Sequence, residues 1–482
     1  MGELSMDDSS SRKLHVIILS SPGAGHLIPV VILANHLAAE HGVRSTVLQV
    51  RIAESPESNL LVPAGDRELV EIVQLPPVDI TNLVDPDTKV VTQLCMMMRE
   101  AVPLVRSAVA AMDRRPDALI VDLFGSESLP IAGDLRIPKY VYCTSTAWFL
   151  ALTVYSPILD GEIEGQYVDQ PGHLEIPGCK LVRPEDVADP MLDRGDQQYR
   201  EYVRMGKEFA LSDGILVNTF EDLEPKTLQA FRENEAMKSV LKPPVYPIGP
   251  LTRPVQLTQT AGLKSDVMDW LDKQPNQSVL FVSFGSGGLL SIQQTTELAL
   301  GLELSQQRFL WVIRSPTQGG VDEAFFTGKG GAEDDYLPKG FLDRTKDIGR
   351  LVLKWAQQVE VLAHPSVGGF LSHCGWNSSL ESITSGVPMI AWPLYAEQRL
   401  NAAMLVEELG VAVRPEVLPT KKVVGREEVA KMVRTLIEHK DAQAMRDRAK
   451  QLTIIATNGL KEGGSSSKSI CKILLNIEAK EN

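Results

Sequence analysis

The chain has 482 residues, a formal net charge of −14 at pH 7, 44% hydrophobic and 23% charged residues, and a pI near 5.2. That length exceeds one ordinary core, so two or three domains are expected. The acidic balance argues against a nucleic-acid backbone or an anionic membrane surface as partner, since both attract a basic face, and no apolar run approaches the ~20 residues that span a bilayer.

The first stretch, MGELSMDDSSSRK, is polar and acidic. It lacks the basic-then-apolar layout of a signal peptide, and Met6 stands where myristoylation requires Ser or Thr, so it reads as a disordered lead-in. LHVIILSSPGAGHLIPVVILANHLAAEHG begins the fold. Leu14–Leu19 is a buried-type strand, Ser20–Gly25 a turn, and helical periodicity runs from His26 to Gly42. RSTVLQV is a second strand. DPD at Asp85–Asp87 matches a D-x-D metal pattern, but Pro86 and its loop-like neighbours read as a solvated turn. DALIVDLFG (Asp117–Gly125) is a further apolar strand, followed by a small-residue turn and a helical pattern, and KYVYCTST and GILVNTF continue the series. Strands alternating with helices predict a parallel, doubly wound α/β sheet.

The rhythm breaks at KPPVYPIGPLTRPVQ (Lys242–Gln256), where five prolines predict a stiff connector. It then restarts with SVLFVSFGSGG, RFLWVIRS, GRLVLKWA, GGFLSH and VPMIAWP. Two α/β sheets facing across a cleft are expected: an acceptor-binding domain over 1–243, a linker over 244–262, a donor-binding domain over 263–462, and a final helix over 463–482 packing back toward the first domain. Pro316–Pro338, Gly-rich and acidic, reads as a mobile surface loop. The five cysteines (Cys95, Cys143, Cys179, Cys374, Cys471) show no C-x-x-C spacing. They signal neither a zinc site nor a disulfide framework, and fit reduced thiols in the cytoplasm.

Ligands of open α/β sheets sit beyond the carboxyl ends of the strands, so the residues just after each strand carry the interest. In GGFLSHCGWNSSLE (368–381) a strand hands over to a helix through His373, Cys374 and Gly375. Helix-start amides are unpaired donors with partial positive charge. Gly375 permits close approach, Asn377 and Ser378 add donors, and His373 adds a donor or a charge. Glu381, one turn on, suits vicinal ribose hydroxyls. An ordinary Asn/Ser-capped turn would share several of these features, but so many polar groups in nine residues favour a nucleotide phosphate.

The flanks extend the pattern. Trp355 to Gln398, WAQQVEVLAHPSVGGFLSHCGWNSSLESITSGVPMIAWPLYAEQ, resembles over all 44 residues the signature box of plant UDP-sugar-dependent (family 1) glycosyltransferases. SPGAGHLIP, ILVNTFEDLEP, YPIGPL and SVLFVSFGSGG carry the resemblance over essentially the whole chain, which looks most similar to the hydroquinone and small-phenol type. Gln357 departs from the family's usual Pro. The resemblance implies a GT-B fold of two Rossmann-like domains and UDP-glucose as co-substrate. It implies that Trp355, with Ala356 beside it, stacks on uracil and that Gln358 bonds the uridine. His373, Asn377, Ser378 and Ser286 would hold the diphosphate, Glu381 the ribose, and Glu397 and Gln398 the sugar. Gln at the box end is associated with glucose. Trp376 belongs to the same set but reads as a packing residue.

His26 follows the Gly-rich turn at a helix start, where the dipole disfavours imidazolium and keeps the ring able to accept a proton. Asp122 ends an unbroken apolar run and emerges at the same sheet edge. A carboxylate on one imidazole nitrogen fixes the tautomer and stabilises the cation formed on proton abstraction. Taken singly, each also reads as a helix-start or strand-end residue; together they match the family's catalytic pair. The reading is inverting glucosyl transfer from UDP-glucose to a small aromatic hydroxyl, such as a phenol, hydroquinone or indoxyl, by a cytoplasmic monomer without metal. TQLCMMMREAV and TAWFLAL offer an adaptable apolar surface, so Met96, Trp148 and Phe149 are acceptor-pocket candidates, although a stripe of this kind is also ordinary core. Tyr395 is a further candidate, and Ser145 is one because it resembles a family position near the sugar. A nicotinamide oxidoreductase is disfavoured because SPGAGH lacks a full G-x-G-x-x-G and the second strand leads to Arg51, not an acidic ribose partner. A silent nucleotide-sugar sensor would be expected to lack His26 or Asp122. No G-x-S-x-G turn supports a serine hydrolase.

Overall fold

The computed structural model describes residues 13–52, 68–180, 182–254, 266–314, 336–353, 355–438 and 440–480. Among them thirteen strands form two sheets. The first joins β1 (His15–Ser20), β2 (Arg44–Gln49), β3 (Val70–Gln74), β4 (Ala118–Asp122), β5 (Lys139–Cys143), β6 (Gly214–Val217) and β7 (Val245–Pro247) in the order β3-β2-β1-β4-β5-β6-β7. The second joins β8 (Val279–Ser283), β9 (Arg308–Ile313), β10 (Gly349–Leu353), β11 (Val367–Ser372), β12 (Met389–Ala391) and β13 (Ala412–Val413) in the order β10-β9-β8-β11-β12-β13. All pairings are parallel.

Why these runs are unbroken in hydrophobicity follows from the cores. In β1, Ile17 and Leu19 pack into one cluster while Val16 and Ile18 pack into another on the opposite face. β8 divides likewise, Val279 and Phe281 from Leu280 and Val282. A strand covered on both faces has no solvent side to give it polar alternation. The helices α1 (Ala24–His41) and α7 (Ser465–Ala479) cover the Val16 face. The helices α2 (Val90–Ala110), α3 (Ala147–Glu162) and α4 (Gln197–Phe209) cover the Ile17 face. The second sheet carries α5 (Trp376–Ser385) and α6 (Gln398–Ala403).

The proline-rich segment expected as a linker from 244 begins as sheet: Val245–Pro247 pairs with β6 as an edge strand, where a proline removes no needed donor. Its residues 255–262, the lead-in to residue 12, and 316–335 of the Gly-rich segment lie outside the described residues. α7 returns to the first sheet, with Asn476 Nδ2 donating to Tyr246 Oη at 3.2 Å and Lys480 3.0 Å from Asp213. Strand β4 stops at Asp122, short of the predicted Gly125, because Asp122 Oδ1 accepts the Leu123 amide at 2.6 Å and starts a 3₁₀ turn over Leu123–Ser128. Among the described residues no helix is long and apolar enough to cross a membrane.

Candidate active site

Both sheets reverse their strand order beside a central strand, and the crevice at such a switch point is where α/β sheets take ligands. In the first sheet the reversal falls between β1 and β4, whose Leu19 and Val121 are register partners. In the second it falls between β8 and β11, paired at Ser283 and Ser372. A cavity of about 520 Å³ lies between the two crevices and draws walls from both domains, a size within the ~300–1,000 Å³ usual for small-molecule sites.

On the first-domain side His26 stands in the first turn of α1, and its Nδ1 lies 2.9 Å from Asp122 Oδ2. Asp122 is fully buried, whereas His26 is 16% exposed and lines the cavity. Phe124 meets the imidazole edge-on at 5.3 Å between centroids. Nδ1 therefore faces the carboxylate, and Nε2 is the ring's other nitrogen.

Opposite stand two glycine turns. Gly285 (φ +72°) and Gly375 hold the His373 imidazole between them: a Cβ would come within 2.5 Å of the ring at Gly285 and within 2.4 Å at Gly375. Burial lowers the His373 pKa to about 4, so the ring offers an N–H but not the charge that the sequence left open. Cys374 takes a left-handed φ of +66°, which costs a non-glycine residue ~1–2 kcal/mol, and Asn401 Nδ2 steadies the turn by donating to the Cys374 carbonyl at 3.0 Å. Asn377 Nδ2 donates to the Gly25 carbonyl across the cleft at 3.2 Å. That carbonyl is available because residue 29, which would bond it in the helix ladder, is Pro29. Ser286 lines the same wall, and its carbonyl accepts from Arg314, a half-buried guanidinium at the end of β9. The sequence reading missed Arg314, although its place directly after an apolar strand was the signal.

The indole of Trp355 is 51% exposed and, with Ala356, edges the cavity. Arg253 lies over it, 5.5 Å from the ring to Cζ, and also donates to Glu381 Oε1 at 3.0 Å. Gln358 Nε2 donates to Ser378 Oγ at 2.9 Å and to Glu381 Oε2 at 2.7 Å. Gln358 and Ser378 line the cavity, but Glu381 does not: its carboxylate is covered by Arg253 and Gln358. Gln357 is exposed, with φ −73° in the range a proline imposes, so its side chain strains nothing there. Trp376 is buried at the domain contact, and its indole N–H donates to the Asn218 carbonyl at 2.8 Å.

At the far end, Glu397 Oε1 accepts from Ser145 Oγ of the first domain at 3.1 Å and from Asn401 Nδ2 at 3.2 Å. The Leu394 and Tyr395 amides, at 2.9 and 3.1 Å, both donate to the Gln398 carboxamide oxygen, which fixes this side chain at the cavity wall. Tyr395 lines the cavity from the second domain beside His373, with its phenol pushed up to about 12 by burial.

Of the acceptor candidates, Ser145, Phe149 and Tyr395 reach the cavity wall, while Met96 and Trp148 do not. α2 presents Val90, Val91 and Leu94. Those positions share a face by i,i+3 and i,i+4 spacing, and Met96, two residues beyond Leu94, falls on the other side. Trp148 is 2% exposed within the first-domain core, as are Met97 and Met98 at 1% each. The sequence reading also missed Gln198, Tyr202 and Met205, one face of α4. Asp85–Asp87 is an exposed turn, and no metal-competent cluster of acidic, His or Cys residues occurs among the described residues.

Comparison with known proteins agrees with this architecture. Residues 255–446 match the family model described as UDP-glucoronosyl and UDP-glucosyl transferase. The chain is 52% identical to anthocyanidin 3-O-glucosyltransferase 5 of Manihot esculenta, over 95% of this chain and 94% of that one. It is 41% identical to hydroquinone glucosyltransferase of Rauvolfia serpentina, over 97% and 97%. Among solved structures it matches TcCGT1 in complex with UDP, with TM-score 0.88 and 46% identity over 97% of this chain and 100% of that one.

Proposed function

The chain belongs to the plant UDP-glycosyltransferases, enzymes of GT-B fold, and from that premise we propose that it transfers glucose from UDP-glucose to the hydroxyl of a small aromatic acceptor with inversion. The observation that carries this reading is the His26–Asp122 pair, 2.9 Å apart, opening into the same cavity as the Ser286 and His373 turns. Trp355 receives the uracil face. Ser286, Asn377, Ser378 and the first amides of α5 hold the diphosphate, with the Arg314 guanidinium supplying positive charge. Glu381 takes the ribose once Arg253 yields it, and Glu397 and Gln398 hold the glucose. UDP in the TcCGT1 structure supports the donor half. The anthocyanidin and hydroquinone named for the two relatives support an aromatic acceptor, as do the Phe124, Phe149 and Tyr202 rings along the wall.

Asp122 keeps the imidazole proton on Nδ1, so Nε2 can take the acceptor proton. The freed oxygen attacks the anomeric carbon from the face opposite UDP, the C–O bond to UDP breaks, and one displacement turns the α-linked donor into a β-glucoside. The charge growing on the departing diphosphate is met by the helix amides, Arg314 and the neutral His373 N–H. No step requires a metal, and the enzyme works as a cytoplasmic monomer. Incubating the purified protein with UDP-glucose and a panel of phenols and indoxyl-like heteroaromatics, with and without EDTA, tests the reading. Acceptor-dependent UDP release with a gain of one hexose, unchanged by EDTA, supports it. UDP binding without transfer to any acceptor would replace it with a sensor.

A further inference from the structure

The turn that carries Glu397 and Gln398 has a left-handed residue at its head: Ala396, with φ +56° and no glycine's freedom. What holds it there comes from the other domain. Residues 184–192 of the first domain form two short 3₁₀ turns that lie against the second. Within them Asp189 brackets Ala396 on both sides: its backbone N–H donates to the Ala396 carbonyl at 3.0 Å, and its Oδ2 accepts the Ala396 N–H at 2.6 Å. The other carboxylate oxygen pairs with Arg399, a buried residue of α6 that also donates to the Val187 carbonyl at 3.3 Å. Asp189 and Ala396 both line the cavity. The next side chain along, Glu397, is itself bonded by Ser145 of the first domain.

We propose that Asp189 is a positioning residue for sugar recognition: through the Ala396 peptide, the first domain sets the aim of Glu397 and Gln398. The sugar subsite is then a product of both domains, not of the donor segment alone. A strained peptide gripped by hydrogen bonds at a ligand wall is the arrangement in which backbone conformation serves function. A carboxylate placed only to glue domains has no need to accept the N–H of the residue preceding the sugar-facing pair while its own backbone N–H holds that residue's carbonyl. This inference rests on the UDP-sugar reading above.

The test is equilibrium binding of UDP and of UDP-glucose, by titration calorimetry, to the wild type and to Asp189→Ala, Asp189→Asn and Arg183→Ala. Arg183 pairs with Glu407 at 2.7 Å and joins the same two surfaces away from Ala396, so it controls for loosened domains. Asp189→Ala should weaken UDP-glucose about tenfold, the size of one lost neutral hydrogen bond, while UDP, which lacks the sugar, stays within about twofold. Asp189→Asn keeps an oxygen for the Ala396 N–H and should restore most of the difference; Arg183→Ala should leave the UDP-glucose to UDP ratio unchanged. If Asp189→Ala does not fold, Asp189→Asn carries the test, with a ratio about threefold below wild type from the lost charge on Arg399. Parallel loss of both ligands, or an unchanged ratio, overturns the inference while leaving the functional reading intact. A wild type that binds neither ligand overturns both.

Discussion

Replacing His26 by alanine removes the ring nitrogen nearest an incoming hydroxyl and leaves the Asp122 carboxylate without its 2.9 Å neighbour. General-base assistance of this type is worth ~10²–10⁴-fold, or about 2.7–5.5 kcal/mol of barrier. That full loss is expected with a weakly acidic acceptor such as benzyl alcohol. With a nitrophenol, whose oxygen is already ionised near neutral pH, roughly tenfold or less should be lost. Donor affinity should change less than about twofold, because His26 stands on the first sheet while Trp355, Gln358 and His373 stand on the second. Folding stability should fall by about 1–3 kcal/mol, since a buried carboxylate loses one partner but keeps the Leu123 amide at 2.6 Å. The assay is initial-rate UDP release with each acceptor, beside calorimetric titration of UDP-glucose and a thermal melt. Equal rate losses for the two acceptors, or a large rise in the UDP-glucose Kd, would refute the reasoning.

His373 gives a pH prediction with a definite sign. Its folded pKa is lowered by burial to about 4 from 6.5, so between those values the unfolded chain binds the extra proton and stability falls as pH drops. The share lost is about 3 kcal/mol, and His373→Gln should melt with a shallower decline between about pH 7 and pH 4.5 than wild type, as thermal scans would read. Gly375→Ala drives a methyl to 2.4 Å from His373 Nε2 without any backbone strain. It should cost about 1–3 kcal/mol and weaken UDP by at least about tenfold, read by melting and calorimetry; an unaltered UDP affinity would show that the imidazole does not depend on that gap. Trp355→Ala removes a half-exposed side chain, so the melt should hold to within ~0.5 kcal/mol. Calorimetry should nevertheless show UDP weakened by about 1–3 kcal/mol for the lost base stacking.

What could be read in advance was what has a local signature. A strand buried on both faces is an unbroken apolar run, and Leu14–Leu19, DALIVD and VLFVS all became central strands. The strands not foreseen are β3, β7 and β13, edge or near-edge pieces where pairing, not composition, decides the conformation. The site residues that follow central strands were visible for the same reason: the switch point gathers whatever follows β1, β4, β8 and β11. Arg253 over Trp355 and Asp189 around Ala396 were not legible, because each joins segments over a hundred residues apart through polar bonds that leave no periodicity. The methionine run misled for a related reason. Its composition suits an adaptable pocket, but the rotation of α2 turns Met97 and Met98 into core and gives the cavity Val90, Val91 and Leu94 instead.

The central claim is a single displacement at the anomeric carbon, assisted by His26 and directed by the opposed walls of one cavity. The stereochemistry of the glucoside tests it most directly. Proton NMR of the product from UDP-glucose and a phenol should show the large trans-diaxial coupling of a β-linked anomeric proton, from the first turnover onward. An α-glucoside would require an even number of displacements or a front-face route, and would contradict the assignment of His26 as the base that aims the acceptor.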